Sequence, residues 1–265
     1  MLQSSTIQEG GKKSSNRRNT RLLQYKLKNN EAELEAEYVV QLPILASGKV
    51  AGQSEIHYIS DTQFLVLARD GGAGHGQVES ESKYRNADVI DISKATNIKG
   101  KKNDAFDGAI ASSKGVLNSD VTPAVYCPWL SYNNNTQLNR FGVHNGGAQD
   151  AGLLNEKWES FALAPVDGKF ATKGKGEGDE YYLISFSDDD FITQNGMIAF
   201  PFLYRDGIDN VLQASSTEEK TSTLMHLALT WITKYSYSRS GCQRVQSHCE
   251  SKSMIDRSLY CALLI

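Results

Sequence analysis

The sequence predicts an all-β fold, on three observations. Short runs rich in β-branched and aromatic residues recur over the first 190 positions, and each of them closes on Gly, Asn, Asp or Ser. Over the same span only "EAELEAE" (31–37) has helical propensity, and it merges into a β-rich run. Two stretches of the chain also repeat one order of residues.

The strand candidates follow in sequence. "RLLQYKL" (21–27) and "EAEYVVQLP" (35–43) come first, then "SEIHYIS" (54–60) and "TQFLVLARD" (62–70). "NADVIDIS" (86–93), "PAVYCPWL" (123–130), "WESFALAPV" (158–166) and "YYLISFSD" (181–188) complete the set. The repeat joins them in pairs. Glu55 opens an apolar strand and Asp70 closes the next one, while Glu159 opens a strand and Asp188 closes its successor. In a β-propeller, four-stranded antiparallel blades stand around a channel, so equivalent positions of successive blades converge and repeated acids line one mouth. A β-sandwich is the competing arrangement. Trp129 and Trp158 are expected to pack between blades.

Composition limits the class. With 40% hydrophobic and 22% charged residues the chain is too polar for a membrane protein, and a net charge of −3 argues against a nucleic-acid footprint. The basic start, Lys12, Lys13, Arg17, Arg18 and Arg21, reads as a solvated, disordered arm over 1–19. No apolar segment follows Met1, so the chain as written is expected to remain cytoplasmic. Cys127, Cys242, Cys249 and Cys261 form neither a disulfide framework nor paired zinc spacing, and His248 beside Cys249 adds only a weak metal signal. Residues 214–265 differ in composition and are expected to be a poorly ordered tail outside the domain, with a short helix at "TLMHLALTWITKY" (223–235).

Longer strings carry a family likeness. "YVVQLP", "SEIHYISDTQFLVLARDGGAGHG", "YRNADVIDIS", "LNRFGVHNGGAQDAGLLNEKWESFALAPVDG" and "DEYYLISFSDDDFITQNG" resemble the fungal branch of the phytase-like, or esterase-like-of-phytase, domain family, over roughly residues 20 to 210. The resemblance implies a β-propeller, hydrolysis of a small phosphorylated or other ester substrate, and secretion. The family's N-terminal acidic motif Asp-Glu-Tyr-Gly-Pro-Tyr is not found, so the chain is expected to be the C-terminal part of such a propeller, its domain running over 20–213. About two blades fall short of the roughly four to eight of a closed propeller, so unpaired sheet edges are expected to drive self-association.

Phosphoester hydrolysis calls for an activated water and positive charge against the oxyanion. Glu55, Asp70, Glu159 and Asp188, with Asp189 and Asp190, supply carboxylates suited to a hard cation such as Ca²⁺, and Arg69 suits an anionic substrate. Gly71, Gly72, Gly74 and Gly76 surround His75 in a loop able to form an anion-binding nest, and His144 lies in a second glycine-rich turn, which makes both histidines acid–base candidates. The alternative for each is structural: strand-end Asp residues organise turns, and glycine loops connect strands. Gly-x-Ser-x-Gly is absent, which weighs against a nucleophile-elbow esterase. A non-catalytic propeller segment that binds a partner is the competing function.

Overall fold

A computed structural model of the chain describes residues 1–166 and the segments 180–188, 229–236 and 259–263. The described residues contain ten strands and one short α-helix, α1 (Asn135–Leu138), so the all-β reading holds. Strands β1 (Asn19–Lys28) and β2 (Glu31–Gln41) form a hairpin. Strands β3 (Gly52–Tyr58), β4 (Gln63–Arg69), β5 (Arg85–Asp91) and β6 (Val125–Ser131) form an antiparallel meander, and β7 (Lys157–Pro165), β8 (Glu180–Asp188), β9 (Leu229–Ser236) and β10 (Leu259–Leu263) form a second. Two four-stranded up-and-down sheets beside a hairpin make a partial propeller. No helix among the described residues is long and apolar enough to cross a membrane.

Alternation along β4 explains the layering. Leu65 and Leu67 point to a core shared with Trp158, Phe161, Tyr181 and Leu183 of the second meander. Val66 points the other way, to Leu22 and Val40 of the hairpin. A strand buried on both faces reads as the continuous apolar run "FLVLA", and the first meander is therefore the middle layer.

Several local expectations change in the folded chain. "EAELEAE" is extended, because Asn29 and Asn30, with φ of 53° and 66°, form a tight turn that folds it back on β1, Leu34 opposite Tyr25 and Ala32 opposite Leu27. The N-terminal stretch expected as a disordered arm is packed: Leu2 N donates to Arg21 O at 2.9 Å, and buried Glu9 accepts from Ile110 N at 2.8 Å. Its physical reason is Glu9 itself, which pairs with Arg21 and so carries the segment onto the hairpin. Cys127, left unpaired by sequence spacing, is disulfide-bonded. Within the segment expected to stand outside the domain, Leu229–Ser236 and Leu259–Leu263 are strands, and the helix expected over 223–235 is overturned from Leu229 on, because that stretch pairs in the ladder with β8; the rest of 214–265 lies outside the described residues.

Pro128 interrupts β6, since it has no N–H to donate to the ladder. Register shifts there between Ala87 and Val89, and the buried Asp88 carboxylate takes up the Trp129 N–H at 3.0 Å together with the Tyr84 and Tyr126 hydroxyls at 2.6 and 2.9 Å. Burial pushes the Asp88 carboxyl above its ordinary range, and these donors oppose the shift.

Candidate functional site

Arg69 ends β4, and its register partner Arg85 begins β5. Both share the face of Leu65, Leu67 and Ala87, turned toward β7. Arg69 is fully engaged there: Nη1 donates to Glu156 at 3.1 Å, Nη2 to Glu159 at 2.9 Å and Nε to Ser54 Oγ at 3.1 Å. Glu159 sits where the β7–β8 register shifts between Trp158 and Ser160, and Ser54 where the β3–β4 register shifts between Gln53 and Glu55. Bulges re-aim side chains, and here they turn one residue of each blade toward the same guanidinium. Arg69 thus ties the two meanders, and its charge is already matched by two carboxylates.

Arg85 is the contrast. Its side chain is 1% exposed, its guanidinium lies 5.7 Å from the Trp158 ring centroid, and Nη2 donates weakly to Ala73 O at 3.4 Å. Among the described residues Nε and Nη1 have no acceptor. Burial, opposed by Asp70 and Glu156 and aided by Arg69, pulls this guanidinium down to about 10, so it stays charged at neutral pH. Nothing in the strand pattern marked Arg85; the available signal was its parity with Ala87 and Val89, which puts a cation on a buried face. Glu156, on no strand, carried no signal at all.

The glycine loop is fastened rather than loose. Asp70 accepts from Ser82 Oγ at 2.7 Å, Lys83 N at 2.6 Å and Tyr84 N at 3.3 Å, which organises the return to β5. Gly72 N donates to Glu156 at 3.0 Å, Gly76 N to Gln149 Oε1 at 2.9 Å, and His75 N to Leu154 O at 2.9 Å. Parallel bridges join His75 to Asn155 and His144 to Leu153, so the two histidine loops do meet, through the 153–155 segment. Buried Ser82 locks the same corner: its N–H donates to Asn145 Oδ1 at 3.0 Å, and its carbonyl accepts from Asn133 and Asn145, each at 2.9 Å.

The remaining candidates fall as follows. His75 is buried. His144 Nδ1 lies 2.6 Å from Gly146 O and Nε2 2.8 Å from Asp150 Oδ1, and the protonated ring donates to both. Asp150 first, then Gly146 O, raise it above its ordinary 6.5. The stabilisation from this charged pair is therefore full below 6.5 and is lost as pH rises through the raised value. An NMR titration is expected to place the His144 midpoint above 6.5, with Asp150→Asn returning it toward 6.5; a wild-type midpoint at or below 6.5 means the pair does not form. Glu55 accepts from Ile56 N at 3.1 Å. The Asp188 side chain, Asp189 and Asp190 lie outside the described residues. Among the described residues no three His, Cys, Asp or Glu come together as a metal-binding group, and Asp70 and Glu159 each accept from protein donors.

A partial antiparallel propeller with an Arg–Glu seam between neighbouring blades, roofed by a glycine loop, is the class of protein that fold and site define. The chain belongs to the phytase-like family: the family model described as esterase-like activity of phytase matches residues 1–191. That span includes the packed N-terminal segment. The chain is also 46% identical over 208 residues to an uncharacterized secreted protein of Arthroderma benhamiae, over 74% of this chain and 40% of that protein. It therefore spans about 40% of that relative's length. No solved structure matches it.

Proposed function

We propose that this phytase-like chain belongs to a hydrolase of ester or phosphoester bonds whose chemistry is carried at the seam between its two meanders. The observation that carries the reading is the joint placement of Arg69, Glu156 and Glu159 under the glycine loop, in a chain whose family is described by esterase-like activity. Glu159 is the open member, with its side chain 43% exposed, and Arg69 holds it in place. In this reading Glu159 takes the proton of an attacking water and returns it to the leaving group, while Arg69 orients it. Calcium is assigned no step.

The test is turnover of p-nitrophenyl acetate and p-nitrophenyl phosphate by the full chain. Glu159→Gln is expected to lower kcat/KM on the active substrate by about 10²-fold or more. Turnover of neither substrate above the buffer rate sinks the reading. The second reading, a propeller segment that only binds a partner, is favoured by the occupied state of Asp70 and of both His144 nitrogens. We further propose secretion, supported by the fungal relative, a secreted protein, and by the disulfide at Cys127, which suits an oxidising compartment.

A further inference from the structure

We propose that Arg85 donates to the carbonyl oxygen of an uncharged carboxylic ester, and that the seam therefore selects such esters over phosphate monoesters. The inference deepens the hydrolase reading above and rests on it. Buried polar groups are almost always paired, and a buried cation with unmet N–H groups is costly. Arg85 has two such nitrogens among the described residues, at 1% exposure and against an aromatic face. The donors want an acceptor that the described residues do not supply.

Charge decides which acceptor. The charges that act on Arg85 are Arg69, Asp70 and Glu156: two guanidiniums, its own included, against two carboxylates, a balanced set. A phosphate monoester would bring up to two uncompensated negative charges into that balanced, buried set, whereas an ester carbonyl brings none. In this proposal substrate enters at the exposed Gly71–Gly72 step. A Cβ on Gly72 would meet no atom within 4 Å, and the step is held to Glu156 by the Gly72 N–H.

In the reaction the water oxygen bonds to the acyl carbon and Glu159 takes the water proton. Negative charge gathers on the carbonyl oxygen beside Arg85. The bond from acyl carbon to alkoxy oxygen then breaks, the alkoxide takes the proton from Glu159, and the acid product releases its own proton to solvent.

With the full chain, kcat/KM for p-nitrophenyl acetate is expected to exceed that for p-nitrophenyl phosphate by at least about 100-fold. Arg85→Met should lower ester kcat by about 10²–10³-fold with little change in KM. Its melting temperature should hold or rise, because an apolar chain replaces a poorly paired buried cation. Arg85→Lys, which keeps charge and loses the planar fork, should fall between, and it carries the test if Arg85→Met fails to fold. Equal or faster turnover of the phosphate, or undiminished ester kcat in either variant, overturns the proposal while leaving the hydrolase reading standing. Inorganic phosphate titrated against tryptophan emission should give no response that differs between wild type and Arg85→Met; phosphate binding that depends on Arg85 overturns the proposal even where no turnover is seen.

Discussion

Arg21→Met is expected to destabilise the protein by about 3–5 kcal/mol, because it leaves two buried carboxylates without their cation. Arg21 is 14% exposed and bridges Glu9, 2% exposed, to Glu37, 5% exposed. Through Glu9, which also accepts from Ile110 N and Thr6 Oγ1, the pair joins the N-terminal segment, the hairpin and the 92–124 connection. For a domain of this size the loss corresponds to a melting temperature lower by roughly 10 °C. Lys28→Met is the control: that lysine is 64% exposed and 3.9 Å from Glu33, so no more than about 0.5 kcal/mol is at stake.

The pH dependence of the same variant follows from the two carboxylates. Burial alone would raise Glu9, but Arg21, Ile110 N–H and Thr6 outweigh it and hold it below its ordinary 4.5. Its stabilisation is therefore complete above 4.5 and is lost as pH falls through the lower folded value. Glu37 runs the other way. Burial first, and then Asp104, raise it against the pull of Arg21, so its contribution is present below 4.5 and is lost as pH rises through the folded value. Without Arg21 both carboxylates rise. Thermal melts between pH 4 and 8 should show the deficit of Arg21→Met largest at neutral pH and shrinking toward 4.5; a deficit that grows on acidification would mean that the pair is not what holds the segment.

Gly74→Ala should be nearly as damaging, at about 2–5 kcal/mol from left-handed strain and overpacking together. Gly74 has φ of +132°, and an added Cβ would lie 2.7 Å from both Leu154 O and Glu156 N, backbone atoms with no freedom to retreat. The close approach is what lets His75 N reach Leu154 O. Gly71 lacks the positive φ, and its Cβ would meet only Glu156 Oε1, at 3.4 Å, so Gly71→Ala should cost less than about 1 kcal/mol. Equal melting of the two variants would contradict the fastened loop.

The acids show how far local pattern reaches. Glu55 and Glu159 are recognisable as equivalent because both open the first strand of a meander, and the structure places each beside a register shift. Their partners are another matter: Glu159 meets Arg69 from ninety positions earlier, whereas Glu55 accepts from the backbone of its own neighbour. Asp70 keeps the turn-organising role open to any strand-end Asp, with Ser82, Lys83 and Tyr84 supplying the donors.

By itself the sequence determined the all-β class, the strands from 54 to 188, the repeat that relates the two meanders and the family, because alternation, β-branching and turn residues act within a few positions of one another. Packing of Trp158 between the layers follows from the same patterns. Tertiary structure alone decided that residues 1–18 dock, that "EAELEAE" is a strand, that Arg69 has acceptors for its donors and that two nitrogens of Arg85 have none among the described residues. Those outcomes depend on burial and on charges brought together across many positions. Desolvation and Coulomb energy are set by neighbours in space, which spacing along the chain does not specify.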